Sequence, residues 1–75
     1  MKELIVLLSS IKNDIDFSKE EKLIDDEIIG SLDILTIVMR IEKEYGIKIP
    51  ISKIKPQNFN SAAAMWKMIC ELKEE

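Results

Sequence analysis

Histidine is absent from this chain of 75 residues, cysteine occurs once, and glycine and proline occur twice each. Without histidine there is no imidazole to serve as general base and none to ligate zinc, its two commonest functional roles. The lone cysteine, Cys70, permits no intramolecular disulfide and no multi-cysteine metal site. Beside Glu71 it lacks the electropositive setting of a reactive thiol, so it is expected to pack as a small apolar residue on the last helix. No apolar run approaches the length that spans a bilayer. The opening MKELIVLLSSI has a short apolar core, but Glu3 sits in its charged start and no small-residue cleavage site follows. It does not read as a signal peptide, and the expected location is the cytoplasm. Positive charge is also short: 11 Lys and Arg against 14 Asp and Glu give a net −3. Nucleic-acid binding needs a basic stripe that this balance does not supply. Lys53 and Lys55, flanking Ile54 and followed by Pro56, read as a solvated loop.

What is present suits a compact helical bundle. Hydrophobic residues make up 47% and charged residues 33%, a mixture that folds rather than stays disordered. The length predicts one domain over residues 1–75, near the lower limit at which a single core holds without staples. No internal repeat, low-complexity tract or linker divides it.

The chain is organised around Gly30 to Pro50, GSLDILTIVMRIEKEYGIKIP. At 100° per residue, Ile34, Ile37, Val38, Ile41 and Tyr45 share one broad stripe, the pattern of a core-facing helix beginning at Ser31. Asp33, Thr36, Arg40 and Glu44 fall on the opposite side, toward water. Gly46 stands where a left-handed cap ends a helix, and Pro50 reinforces the stop. A second apolar ridge, Leu32, Leu35 and Met39, runs off the main stripe. Ser31 lies one turn above Leu35, at the positively polarised end of the helix, where a phosphate ester is electrostatically welcome. The same position also suits an ordinary N-cap serine.

Elsewhere the first helix is expected from about Lys2 to Lys12, with Leu4, Leu7, Leu8 and Ile11 at helical spacing. Residues 13–30 form a long connection anchored by Ile15, Phe17, Leu23 and Ile24, with a short turn capped by Ser18 and answered by Glu21. Asp25, Asp26 and Glu27 read as a solvated charge cluster. Past Pro50 a short helical turn is expected between Ser52 and Phe59, with Pro56 at one end. The last helix, about Ser61 to Lys73, has Asn60 and Ser61 as candidate N-caps. Ala62, Met65, Ile69 and Leu72 form its stripe, with Trp66 and Cys70 beside it.

The run GSLDILTIVMRIEKEYGIKIP resembles the prosthetic-group motif and second helix of acyl carrier proteins, in which the Ser of an Asp-Ser-Leu triplet carries 4'-phosphopantetheine. Ser31, Leu32 and Asp33 match by residue and spacing, as do Leu35, Val38, Met39, Ile41, Tyr45 and Ile49-Pro50. The likeness continues upstream through LIDDEII and downstream through NFNSAAAMWKMI. It implies an all-α, acyl-carrier-like bundle: three main helices, a short helix before the last, and a long loop between helices one and two.

It further implies a monomeric, non-enzymatic carrier holding an acyl or aminoacyl thioester on 4'-phosphopantetheine at Ser31. Its partners would be a phosphopantetheinyl transferase and an acyl- or aminoacyl-loading ligase or synthase. Partner contacts are expected at Leu32, Asp33, Leu35, Thr36, Met39 and Glu42. No catalytic or metal-ligating residue, nucleic acid or membrane insertion is expected. Fatty-acid carriers present a strongly acidic second helix. The mixed signs here, with Thr36, Arg40 and Lys43 beside Glu42 and Glu44, point to a different set of partner enzymes, and the segment IPIS with the later NFNS resembles stand-alone amino-acid carriers, including the D-alanyl type, and carriers for peptide or polyketide assembly. One departure stands out: Gly30 replaces the Asp before the Ser, which in the family helps engage the transferase. A glycine can give a left-handed entry to the helix. The alternative is therefore a helical interaction module with the carrier fold and no arm. A hydrolase is disfavoured, since no histidine exists to activate Ser31.

Overall fold

A computed structural model describes residues 1–74, and within them the regular structure is helical throughout. Helix α1 spans Lys2–Ile11, α2 Ser31–Tyr45, α3 Pro56–Phe59 and α4 Ala62–Lys73, with a single 3₁₀ turn at Ile51–Lys53. This is the all-α bundle expected from the sequence, with three main helices and a short one ahead of the last. Helix α1 lies against both α2 and α4, and α3 packs onto α4.

The core follows from the periodicities. Leu4, Leu7 and Leu8 bury one side of α1, Ile37, Val38 and Ile41 one side of α2, and Ala62, Met65, Met68 and Ile69 one side of α4. Ile34 and Tyr45 continue the α2 stripe at half burial. Met68 lies off the stripe expected for the last helix, yet it is fully enclosed. Pro56 opens α3 at the first-turn position, where its missing N–H costs nothing. Ser61 caps α4, its hydroxyl accepting from the Ala64 amide at 3.0 Å. Gly46 ends α2 in the left-handed conformation (φ 64°) and donates its N–H to the Glu42 carbonyl. A residue with a Cβ would be strained there, which is the reason for glycine.

The long connection is the least regular part and the most informative. Phe17 and Leu23 anchor it as expected, and Ile29 joins them at 3% exposure. The turn within it is headed differently from the expectation. Asp16, not Ser18, organises it: the Ser18 amide and hydroxyl both donate to the Asp16 carboxylate, and the amides of Lys19 and Glu20 donate to the Asp16 carbonyl. An Asx-type turn satisfies more donors at that site than the Ser18–Glu21 capping box would. The hydrogen bond from the Ser18 hydroxyl holds the Asp16 carboxyl below its ordinary value.

Asn60 does not cap α4; it ties the loop down. Its Oδ1 accepts from the amides of Ile24 (3.0 Å) and Asp25 (3.1 Å), its Nδ2 donates to the Asp25 carboxylate, and its carbonyl accepts from Leu23. One residue thus replaces the backbone ladder that the loop lacks. Asn60→Ala, which strips the side-chain partners of two amides, is expected to cost about 1–3 kcal/mol. Amide exchange should accelerate at Ile24 and Asp25 well before it does in α2; unchanged protection at both would exclude the staple.

Tyr45 carries a defect of the opposite kind. Its ring meets Trp66 edge-on at 6.0 Å, and the Lys73 ammonium lies 5.8 Å from its centroid. Its hydroxyl is sealed from water with no hydrogen-bond partner among the described residues. Burial, followed by the carboxylates of Glu3 and Glu44, raises its pKa above the ordinary tyrosine value. Because the folded state holds this proton more tightly, the associated stability is complete below about pH 10 and is lost as pH rises through the folded pKa. Tyr45→Phe is therefore expected to stabilise the protein by about 1 kcal/mol at neutral pH. It should also flatten the alkaline limb of a denaturation-versus-pH curve. A loss of stability at pH 7 would mean that the hydroxyl is hydrogen-bonded in solution.

Candidate functional site

The head of α2 is where the residues marked by the motif come together. Gly30 is the N-cap and Ser31 the first helical residue, so Ser31 is not the capping serine. Glycine has no side chain to receive the helix-end amides, and no side-chain cap bond is formed at this end. The side chain of Asp33 reaches back to accept from the Gly30 amide at 3.0 Å. That is half of a capping box, with the other half missing. Lys12, at the end of α1, sits 3.6 Å from the same Asp33 carboxylate. Asp33 is accordingly half-buried rather than turned to open water.

Ser31 itself is exposed, and its hydroxyl makes no hydrogen bond among the described residues. The free first-turn amides and the helix dipole favour negative charge at this point, and Lys12 partly offsets the carboxylate nearby. A phosphate ester on Ser31 therefore fits the surroundings.

The glycine expectation is corrected. Gly30 has φ −104° and ψ −174°, extended backbone open to any residue, and a Cβ built there meets nothing within 4 Å. Neither backbone conformation nor space calls for glycine at this position.

Beside Ser31 the second ridge is bare. Leu32 is 79% exposed, Leu35 55% and Met39 68%. Three large apolar side chains in a row along one helix flank exceed the scattered single exposures normal for a small protein. The other two residues expected at this surface are occupied within the chain. The Thr36 hydroxyl donates to the Leu32 carbonyl at 3.0 Å, and the Glu42 carboxylate accepts from the Ile49 amide at 2.8 Å, fixing the turn after α2. Asp25, Asp26 and Glu27 are exposed, and no group of three or more potential metal ligands gathers among the described residues.

Two curated proteins are similar to this chain over part of its length. The chain is 45% identical over 49 residues to the acyl carrier protein AcpXL of Mesorhizobium japonicum, an alignment covering 64% of this chain and 53% of that one. It is 59% identical over 34 residues to AcpXL of Rhizobium etli, covering 45% of this chain and 37% of the relative. Over these stretches the chain is similar to acyl carrier proteins. It spans about half the length of the first relative and little more than a third of the second. No protein-family model matches it, and no solved structure matches it at a significant level. Set against the Asp-Ser-Leu triplet of acyl carrier proteins, the chain keeps the serine and leucine and lacks the first carboxylate. Among the described residues no helix is long and apolar enough to cross a membrane.

Proposed function

We propose that this chain is a carrier that holds an acyl or aminoacyl group as a thioester on 4'-phosphopantetheine attached to Ser31 and presents it to partner enzymes. The observation that carries this reading is the pairing of an exposed, unbonded Ser31 hydroxyl at an uncapped helix head with the bare ridge Leu32, Leu35 and Met39. The prosthetic group would supply the thiol on which cargo is held. The protein's own residues do the rest: Ser31 provides the ester oxygen, the first-turn amides and Lys12 offset phosphate charge, and the ridge gives a partner an apolar seat. The chain performs no bond chemistry itself. Its partners on this reading are a phosphopantetheinyl transferase and a loading ligase or synthase, in a cytoplasmic pathway of fatty-acid or secondary-metabolite type. Asp33, Thr36 and Glu42 shape the seat by the contacts they make within the chain.

A second reading has one observation in its favour. Because nothing in the backbone requires glycine before Ser31, the missing carboxylate fits a bundle that has kept the fold and given up the arm. Incubation with coenzyme A and a broad-specificity phosphopantetheinyl transferase separates the two. The carrier reading expects the intact mass to rise by one phosphopantetheine group. No gain after prolonged incubation would favour the unmodified interaction module.

A further inference from the structure

Lys53 and Lys55, expected on a solvated loop, leave a bonded turn instead. Lys53 donates its amide to the Pro50 carbonyl, Ile54 to Ile51, Lys55 to Lys53 and Asn58 to Lys55. The Asn58 side chain adds a 2.7 Å bond to the Lys53 carbonyl. Both lysine stems therefore start from a held backbone, on either side of the half-buried Ile54.

Packing of α3 on α4 brings a third cation to them. Ala64, Lys67, Met68 and Glu71 recur at the three- and four-residue spacing of one helix face. That face of α4, with the 3₁₀ turn and α3, walls a groove of about 440 Å³. Lys53, Lys55 and Lys67 all line it, and Glu71 is the one carboxylate among its lining residues. None of the three lysines is ion-paired among the described residues, where the one such pair joins Lys12 to Asp33. In a chain of net charge −3 this is a local reversal of sign. Three cations gathered at one groove repel one another, a cost that an anionic occupant removes. No residue of α2 lines the groove, so it is separate from Ser31 and the bare ridge.

The same turn decides which kind of anion fits. A site for a single phosphate typically uses convergent backbone N–H groups or a guanidinium fork. Here the amides of Lys53, Ile54, Lys55 and Asn58 are spent inside the turn. The cations are lysines, point charges on separate flexible stems. Several carboxylates spaced along a chain match that arrangement better than one compact group does. We infer that this groove docks an acidic segment of a partner protein, whose Asp and Glu side chains meet Lys53, Lys55 and Lys67. The inference goes beyond the carrier reading and does not depend on it.

The test uses the full chain, isotope-labelled for amide NMR, with two short synthetic peptides, one rich in Glu and Asp and the other with Lys in their place. The acidic peptide is expected to shift the amides of Lys53, Lys55, Asn58 and Lys67 to saturation, and the basic one to leave them in place. Added salt should weaken the acidic peptide. The triple variant Lys53→Gln, Lys55→Gln, Lys67→Gln should weaken it by about tenfold, the scale of three exposed ion pairs. A control triple, Lys19→Gln, Lys22→Gln, Lys48→Gln, removes the same charge from exposed positions outside the groove. Screening should hold its effect below about twofold. Equal losses in the two triples would reduce the effect to net charge and overturn the inference. So would no binding, indifference to salt, equal shifts with the basic peptide, or shifts confined to other residues. Inorganic phosphate that moved the same amides as strongly, at matched ionic strength, would overturn it too, by making the groove a small-anion site. All of these readouts use the unmodified chain, so a failed mass gain at Ser31 and a failed peptide titration are told apart.

Discussion

Gly30→Asp is expected to raise the rate at which a phosphopantetheinyl transferase modifies Ser31 by about tenfold, and Ser31→Ala to abolish modification, with the helical fold retained in both. That factor corresponds to one additional charge-assisted hydrogen bond in the transferase complex, about 1.4 kcal/mol. Local structure places no obstacle in the way. The Gly30 backbone is already extended and its Cβ position is empty, so an aspartate enters without displacing anything. Its side chain can accept from first-turn amides that currently have no cap, which adds only a few tenths of a kcal/mol of stability over glycine. A larger acceleration than that stabilisation explains would come from the transferase and not from a firmer helix. Equal rates for the parent chain and the Gly30→Asp variant, measured by intact mass against time, would show that the carboxylate is dispensable. A mass gain persisting in Ser31→Ala would move the attachment elsewhere and end the carrier assignment of Ser31.

The second large effect is structural. Phe59→Ala is expected to cost about 3–5 kcal/mol, comparable with the whole stability that a core of this size supplies. Phe59 is 1% exposed and is the one buried residue of the four-residue α3. A helix so short has no stability of its own, so its position depends on that ring. Asn60 comes next in the chain, so losing the ring also loosens the residue that binds Leu23, Ile24 and Asp25. The variant should retain much of its far-ultraviolet circular dichroism but lose a cooperative thermal transition. A sharp transition lowered by only a few degrees would show that the remaining core holds α3 without Phe59.

These two residues mark the limits of what the sequence makes legible. Helix α2 was readable because apolar spacing, Gly46 and Pro50 all agree on it, and the bare ridge followed by subtraction: residues left off the core stripe had to face outward. Local signals misjudged hydrogen bonding where several acceptors compete. Gly30 holds the cap position that Ser31 also suited, although it has no side chain to cap with, and Asp16 took the turn expected of Ser18 because its carboxylate is the better-placed acceptor. The role of Asn60 had no local signal at all. Its partners lie 35 and 36 residues away, and only the packing of α3 against α4 brings them within reach. Met68 was missed for a related reason: α4 is enclosed on more than one side, which widens the buried arc beyond a single stripe.

The connection between α1 and α2 has a practical consequence for anyone wishing to splice a reporter or affinity tag into this protein. Irregular segments ordinarily tolerate added residues, and this one is the longest available. Yet it places Phe17, Leu23 and Ile29 in the core and is clamped midway by Asn60. Its effective slack is therefore a few residues at most. Foreign sequence spliced into the stretch whose length suggests room would pull those anchors out of the core.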